Sequence, residues 1–514
     1  MGYVEGMNRD QIMLVNLEEM IPKESECRVI DCFCEKLDMK ALGFEHATTK
    51  ESGRPPFAPE VLLKLFLYGY LNHIASSGRL AKEATRNIEV IWLLNGMTPS
   101  KRTVCYFKEH NKESLRKVFK TFNSFYKEIG LFGNQMIALD SVKIKASNSK
   151  KKNHNKETVK RTLDKTEARI EEYLALLDKA DQNEGYNDER ELTSEQIQGI
   201  LKKLKAKKEK FETLEQELEN SEETQISTTD PDARCMKQGS GKGMDVSYNT
   251  QVITEAESKM VVEYETTNNG SDKGHLAKMS KEAKGFLGTD KITLLADTGY
   301  HEGKEMLEAE ANGVTCLIPK AKPGNQKSEK KYNRENFIYD GSRDVYICPE
   351  KHILGPMRKT KDSNKDNAVI YANYHACSNC PHRADCTNRN HREISRKEFQ
   401  SRVDALDKRF LKSKGIYKKR QEIIEHQFGT IKWVWGFDRY YTRGIHSADA
   451  ENALLFTTYN LRRAINMIGV EKLIEAMCAF VLKYQLLSPT STLLFELFPT
   501  ISPLHRKLSV ILSP

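Results

Sequence analysis

A short apolar run closing on an acid, Ile137-Ala138-Leu139-Asp140, recurs downstream as Thr293-Leu294-Leu295-Ala296-Asp297. Each reads as a strand with a carboxylate at its end. A third acid, Glu425, falls in the helix-like run from Tyr417 to Lys432. Around them, strands at 246–253, 260–266, 292–297 and 314–319 alternate with helices at 273–285 and 303–312. That alternation inside one domain indicates an α/β sheet. Antiparallel strands followed by a parallel one would suit an RNase H-like arrangement, although the pattern alone leaves the topology open.

Two strand-end aspartates and a helical glutamate form an oxygen-only ligand set. Hard divalent cations such as Mg²⁺ or Mn²⁺ favour such a set, and phosphodiester chemistry uses it to clamp attacking and leaving oxygens. The surroundings agree. The net charge is +9, from 81 Lys and Arg against 72 Asp and Glu, and the excess clusters at 143–161, just after Asp140, and at 408–420, just before Glu425. Positive charge beside carboxylate sites is what a phosphate backbone requires. No apolar run is long enough to span a bilayer, so the expectation is a cytoplasmic, nucleoid-associated protein with no membrane partner. Eleven cysteines, an odd number, argue for thiols or a metal site over a disulfide framework.

The length of 514 residues calls for several units. Residues 1–130 read as a helical N-terminal DNA-binding domain. Apolar positions Leu62, Phe66, Leu67, Tyr70 and Leu71 follow Pro59, and a Ser100 cap opens a basic helix carrying Lys101, Arg102 and Lys108. A helix-turn-helix unit and a plain helical bundle both fit. Residues 131–154 begin the catalytic domain. Residues 155–223 read as a helical hairpin insertion, with Val159, Leu163, Thr166, Ile170, Tyr173 and Leu177 on one arm. Ile197, Leu204, Phe211 and Leu218 lie on the other, behind a Thr193–Gln196 capping box. It is either a DNA-tracking or dimerising arm or a decoration.

The catalytic domain continues over 224–319, and 416–514 supply its C-terminal helices. Between them, 320–415 is a polar, Lys-rich insertion with too few apolar residues to bury a core unaided. It carries Cys348, Cys377, Cys380 and Cys386, which can close a tetrahedral thiolate site, normally for structural Zn²⁺. Free thiols or an iron–sulfur cluster are the alternatives, and His375, His382 and His391 are possible substitute ligands.

Taken in order, several motifs resemble the DDE transposases of bacterial insertion sequences, in the branch with a Tyr-Arg-Glu-Lys signature. They are Ala-Leu-Asp140-Ser, Asp230-Pro-Asp232, Tyr248-Asn249-Thr-Gln251, Asp297-Thr-Gly-Tyr300, the cysteine segment, and Glu425 with Phe428-Gly and Lys432. The resemblance implies an RNase H-like catalytic domain and Mg²⁺-dependent strand cleavage and transfer of double-stranded DNA, both transposon ends and target. It implies Asp140, Asp297 and Glu425 as the acids, with Tyr417, Arg420 and Lys432 toward phosphate. A homodimer on DNA is the expected assembly. Arg420 and Glu425 are separated by four residues where the branch has three, so Glu422 rivals Glu425 as third acid. A nuclease that only hydrolyses DNA, and a DNA-binding regulator on an inactive transposase-like fold, are the other readings. Trp433 and Trp435 could stack on an unpaired base or pack in the core, and His301 is near enough in sequence to approach phosphate. The Gly239–Gly243 loop lacks the P-loop pattern.

Overall fold

The computed structural model describes residues 16–48, 55–133, 135–182, 193–221, 223–239, 241, 243–320, 330–361 and 366–486. Ser240, Lys242 and Leu487 lie outside them.

Six helices open the chain: α1 (Glu26–Glu35), α2 (Pro59–Leu71), α3 (Ser77–Arg86), α4 (Ile88–Leu93), α5 (Lys101–His110) and α6 (Lys112–Glu128). Proline sits well at the start of α2, where its missing N–H has no intrahelical partner to lose. The spacing there suggests one apolar stripe. Instead every residue of α2 except Glu60 is buried, because α1, α4, α5 and the long helix at Ile445–Ile468 surround it. Even Lys64 is enclosed, with its ammonium 2.6 Å from Asp31 and 3.2 Å from Glu60. Ser100 caps α5 by accepting the Thr103 amide, and Lys101 and Arg102 are exposed on its first turn. Lys108 is not part of that basic face: it is buried against Glu451, 3.1 Å away.

The main sheet has six strands. They are β1 (Met136–Lys145), then, beyond the insertion, β4 (Arg234–Lys237), β5 (Met244–Glu255), β6 (Val261–Thr267), β7 (Ile292–Ala296) and β8 (Val314–Leu317). Strand β1 lies between antiparallel β5 and parallel β7, β8 extends the parallel side, and β4 and β6 both pair with the far edge of β5. Helices α9 (Leu276–Leu287) and α10 (Gly303–Ala311) connect the later strands. One expectation is corrected here. Asp140 lies in the middle of β1, opposite Val252, not at a strand end. Val142 and Ile144 continue the buried alternation, and β5 pairs with β1 as far as Lys145, so the strand runs on past the acid.

Between β1 and β4 stand α7 (Lys156–Gln182) and α8 (Ser194–Asn220), packed on each other. The Thr193–Gln196 capping box forms in both directions. Val159 and Leu163 meet Leu214 and Leu218, with Phe211 partly buried beside them. At the base, β2 (Asn153–Asn155) pairs antiparallel with β3 (Gln225–Ser227) and closes a neck under the hairpin.

The Lys-rich segment is not the coreless stretch its composition suggests. Strands β9 (Ile338–Asp340), β10 (Val345–Ile347), β11 (Ile353–Lys361), β12 (Asn367–Ala372) and β13 (Ile394–Lys397) form an all-antiparallel sheet in the order β13-β12-β11-β10-β9. Phe337, Tyr346, Leu354, Tyr371 and Ile394 make a small core of their own. Three of these five are aromatic, and large rings bury enough surface to offset the scarcity of aliphatic residues. Helices α11 (Tyr374–Ser378) and α12 (Arg383–Cys386) sit between β12 and β13.

Helices α13 (Gln400–Lys412), α14 (Lys414–Tyr417) and α15 (Lys419–Gly429) follow, then a π-helical turn at Thr430–Val434, and finally α16 (Ile445–Ile468) and α17 (Val470–Leu486). Helix α16 is buried along most of its length against α2, α6 and β6. Asp230 and Asp232 hold its start, accepting the amides of Gly444 and Ile445 at 3.0 and 2.9 Å. Asp230 also accepts the Tyr248 hydroxyl at 2.7 Å. These aspartates are therefore structural anchors. Among the described residues no helix is long and apolar enough to cross a membrane.

Candidate active site

Strands β1 and β7 run parallel with Leu139 opposite Ala296, so the next residue on each chain, Asp140 and Asp297, emerges on the same side of the sheet. Helix α15 packs across β1 and brings Arg420 to both. The Arg420 Nη2 donates to Asp140 Oδ2 at 2.7 Å and stands 4.0 Å from Asp297 Oδ2. The guanidinium Nε is buried without a hydrogen-bond partner, so a donor is unspent at the centre of this cluster.

The two aspartates differ in setting. The Asp140 side chain is only 22% exposed, that of Asp297 47%. Burial pushes the Asp140 carboxyl from 3.8 up to about 6. Arg420 and the Ser141 amide pull it back, while Asp297 and Asp272 push it further up. Asp297 caps the short helical turn Thr298–Tyr300 by accepting the Gly299 amide.

Asp272, in the loop before α9, is a member of the cluster that the sequence reading did not single out. Its Oδ1 accepts the side-chain amides of Asn249 at 3.1 Å and Gln251 at 3.0 Å. Those residues alternate on one face of β5, and two amides on one strand face call for a shared acceptor, which was the available signal. Gln251 in turn accepts the buried Tyr300 hydroxyl. The Asp-Thr-Gly-Tyr motif thus becomes physical. A Cβ at Gly299 would stand 3.0 Å from Asp297 Oδ1 and 3.2 Å from Asp272 Oδ2, so glycine lets the two carboxylates approach.

The remaining expected residues divide. Tyr417 belongs to the cluster: burial raises its phenol pKa, Arg420 opposes that, and Asp297 and Asp140 add to it. Glu425 does not reach the aspartates here. It is exposed and accepts the Gln421 amide at 2.7 Å. Glu422, its rival, pairs with Lys259 at 3.1 Å. Lys432 donates to the Lys143 carbonyl on β1, three residues past Asp140, at 2.7 Å. It lies in the π-helical turn, whose wider repeat changes its phase relative to α15.

His301 is tied to Asp407 at 2.8 Å. Trp435 is buried, its ring 5.4 Å from that of His73, while Trp433 is 80% exposed.

Cys348, Cys377, Cys380 and Cys386 line one small cavity of about 30 Å³ beside the core of the second sheet. Two of the substitute histidines have other partners: His391 contacts Glu393 and the Tyr374 ring, and His382 contacts Asp385 and the Tyr332 ring. Among the described residues no three His, Cys, Asp or Glu side chains already stand in metal-holding geometry, at either centre.

Residues 347–465 match a family model described as Transposase DDE domain, and residues 15–110 match one described as Transposase domain (DUF772). The first span holds the four cysteines and α15, and Asp140 and Asp297 precede it; the second covers α1 to α5. No curated protein matches the chain significantly. No solved structure does so either. Over these two spans the chain is similar to transposase domains, the later one along the chain a DDE domain, and Asp140 and Asp297 lie between the two.

Proposed function

We propose that the protein catalyses Mg²⁺-dependent cleavage and strand transfer of double-stranded DNA at the ends of an insertion sequence. The observation that carries this is the meeting of Asp140 and Asp297 on adjacent parallel strands with a single cationic nitrogen between them. The strand order of the main sheet supports an RNase H-like catalytic domain.

The donor set suits a hard divalent cation. Carboxylate oxygens are its preferred ligands, and the Arg420 guanidinium is a cation already held between the aspartates. Asp140 and Asp297 would hold the metal, with the third carboxylate from Glu425, as the resemblance implies, or from Asp272, which the geometry brings closer. Bound metal ions would supply a deprotonated hydroxyl near neutral pH and offset charge on the leaving oxygen.

The chain's own residues then have definite tasks. Asp140, with its carboxyl at about 6, holds a proton in mildly acidic solution and yields it near neutrality. Arg420, held beside both carboxylates, offsets the repulsion between their like charges. Lys101 and Arg102, exposed on the first turn of α5, are placed for backbone phosphate contacts. The exposed faces of α7 and α8 carry many further lysines.

The test is cleavage of duplexes bearing the DNA that flanks the gene, with Mg²⁺, and with Asp140→Asn and Asp297→Asn alongside. Strand cleavage that requires Mg²⁺ and both aspartates is expected. Cleavage unaffected by either substitution would reject the assignment. Release of 3′-hydroxyl ends without joining to a target duplex would reduce the protein to a nuclease.

A further inference from the structure

We propose that Cys348, Cys377, Cys380 and Cys386 bind one zinc ion as a tetrathiolate, and that this ion pins helices α11 and α12 to the second sheet. The acid cluster plays no part in the argument.

The four residues come from three places. Cys348 directly follows β10, Cys377 lies in α11 with Cys380 just beyond it, and Cys386 closes α12. Cys348 precedes the other three by a β-hairpin, yet all four line the same cavity. All are free thiols of intermediate exposure. A volume of about 30 Å³ has room for one atomic ion. Four sulfur donors around one such space match the tetrahedral preference of zinc, and they leave no position for a reacting group.

A second observation points to thiolates in particular. The His352 amide donates to Cys348 Sγ at 3.3 Å. The turn that aims it, Cys348-Pro349-Glu350-Lys351-His352, is closed by Cys348 N–H to His352 O at 2.9 Å and by Lys351 in the left-handed region at φ 63°. A backbone N–H gains little from a neutral thiol and much more from a charged sulfur. A comparable turn follows Cys377, where the Cys380 amide donates to the Cys377 carbonyl.

The third observation concerns charge. Zinc with four thiolates carries a net −2, which in a partly buried site needs an offset. Arg383 and Arg392 line the cavity, and Arg392 Nε is buried with no hydrogen-bond partner. One Arg392 Nη donates to the Cys386 carbonyl at 3.2 Å, which holds the guanidinium over the site. A buried, unspent donor beside four sulfurs is accounted for if those sulfurs become anionic.

Binding exchanges four S–H bonds for four sulfur–zinc bonds with no change of oxidation state: Zn²⁺ plus four thiols gives the tetrathiolate plus four H⁺. The sulfurs would draw in to about 2.3 Å from the ion.

The experiment uses the full-length protein purified without chelator, with elemental analysis and mercurial-triggered zinc release followed by a chromogenic chelator. A parallel sample is refilled with Co²⁺ and read in the visible range. One zinc per chain and the strong absorption of a tetrahedral cobalt tetrathiolate are expected. Cys377→Ser and Cys386→Ser should lose the metal, while Cys235→Ser, outside the cluster, should keep it. The cobalt spectrum of the unsubstituted chain decides the matter even if the serine variants fail to fold. No stoichiometric metal with all eleven thiols titrating freely, an iron–sulfur chromophore, or full zinc retention in both serine variants would each overturn the proposal.

Discussion

The acid cluster and the cysteine cluster are both sets of metal-type donors, yet they are held in opposite ways. Asp140 and Asp297 stand on rigid neighbouring strands of the main sheet, with half of Asp297 open to solvent and an arginine between them. The cysteines sit on turns and short helices beside a small sheet, around a small cavity with cationic side chains at its wall. The difference separates two uses of ligands. A centre that must admit a substrate keeps its donors on a frame that stands without the ion, and leaves a face open. A centre whose product is stability can let the ion do the joining, and closes.

The sharpest way to break that comparison is to remove a donor from the first centre. Asp140→Asn or Asp297→Asn should lower strand cleavage by about a thousandfold or more, and leave DNA affinity nearly unchanged, because affinity comes from Lys and Arg. Paired cleavage and gel-shift measurements check both halves. Next in size is a defect in the second sheet's own core. Leu354 is 1% exposed, and Leu354→Ala should cost about 2–4 kcal/mol there. Hydrogen exchange should speed up across 337–397 and stay as it was across 136–145; equal acceleration in both would mean the two sheets open together.

A smaller effect has the opposite sign. In metal-free protein Asp140 titrates at about 6 instead of 3.8, so the folded state holds a proton that the unfolded state has released. Stability from this group is present below pH ~4, falls as pH rises through about 6, and stays lost above it. Asp140→Asn should therefore stabilise the metal-free protein at pH 7, by about 3 kcal/mol, and flatten its melting temperature between pH 4 and 6. Mg²⁺ should reverse the order of the two proteins.

The smallest effect lies away from both centres. Hydrogen bonding to His275 and then Lys278 lowers the Glu265 carboxyl from 4.5 to about 2. Its contribution is present above pH ~4.5 and is lost as pH falls toward 2. Glu265→Gln should lower the melting temperature by about 1–2 °C at pH 7 and by less at pH 3.

Much of the framework was legible because apolar periodicity carries it. The strands around Leu139 and Leu295 announce themselves as short apolar runs, and Ile197, Leu204, Phe211 and Leu218 repeat behind a capping box that the structure contains. What sequence hid was set by tertiary partners. Asp272 lies in a polar loop with no local pattern, and only the pairing of β5 with β6 and β1 brings Asn249 and Gln251 over it. The π-helical turn that carries Lys432 shifts the helical phase, and no local pattern announces it. The second sheet was missed because lysines mask the strand alternation and its core rests on tyrosines.

The neck beneath the helical hairpin has a consequence for how the chain finds its fold. Pairing β1 with β5 joins Lys145 to Ser247, two residues separated by the whole insertion. Once Asn155 pairs with Gln225, the open loop that remains is about threefold shorter, which lowers the closure entropy by about 1 kcal/mol. Helices α7 and α8 make contacts that are local in sequence and form early. A segment that reads as an interruption of the sheet thus lowers the entropy cost of bringing β5 to β1.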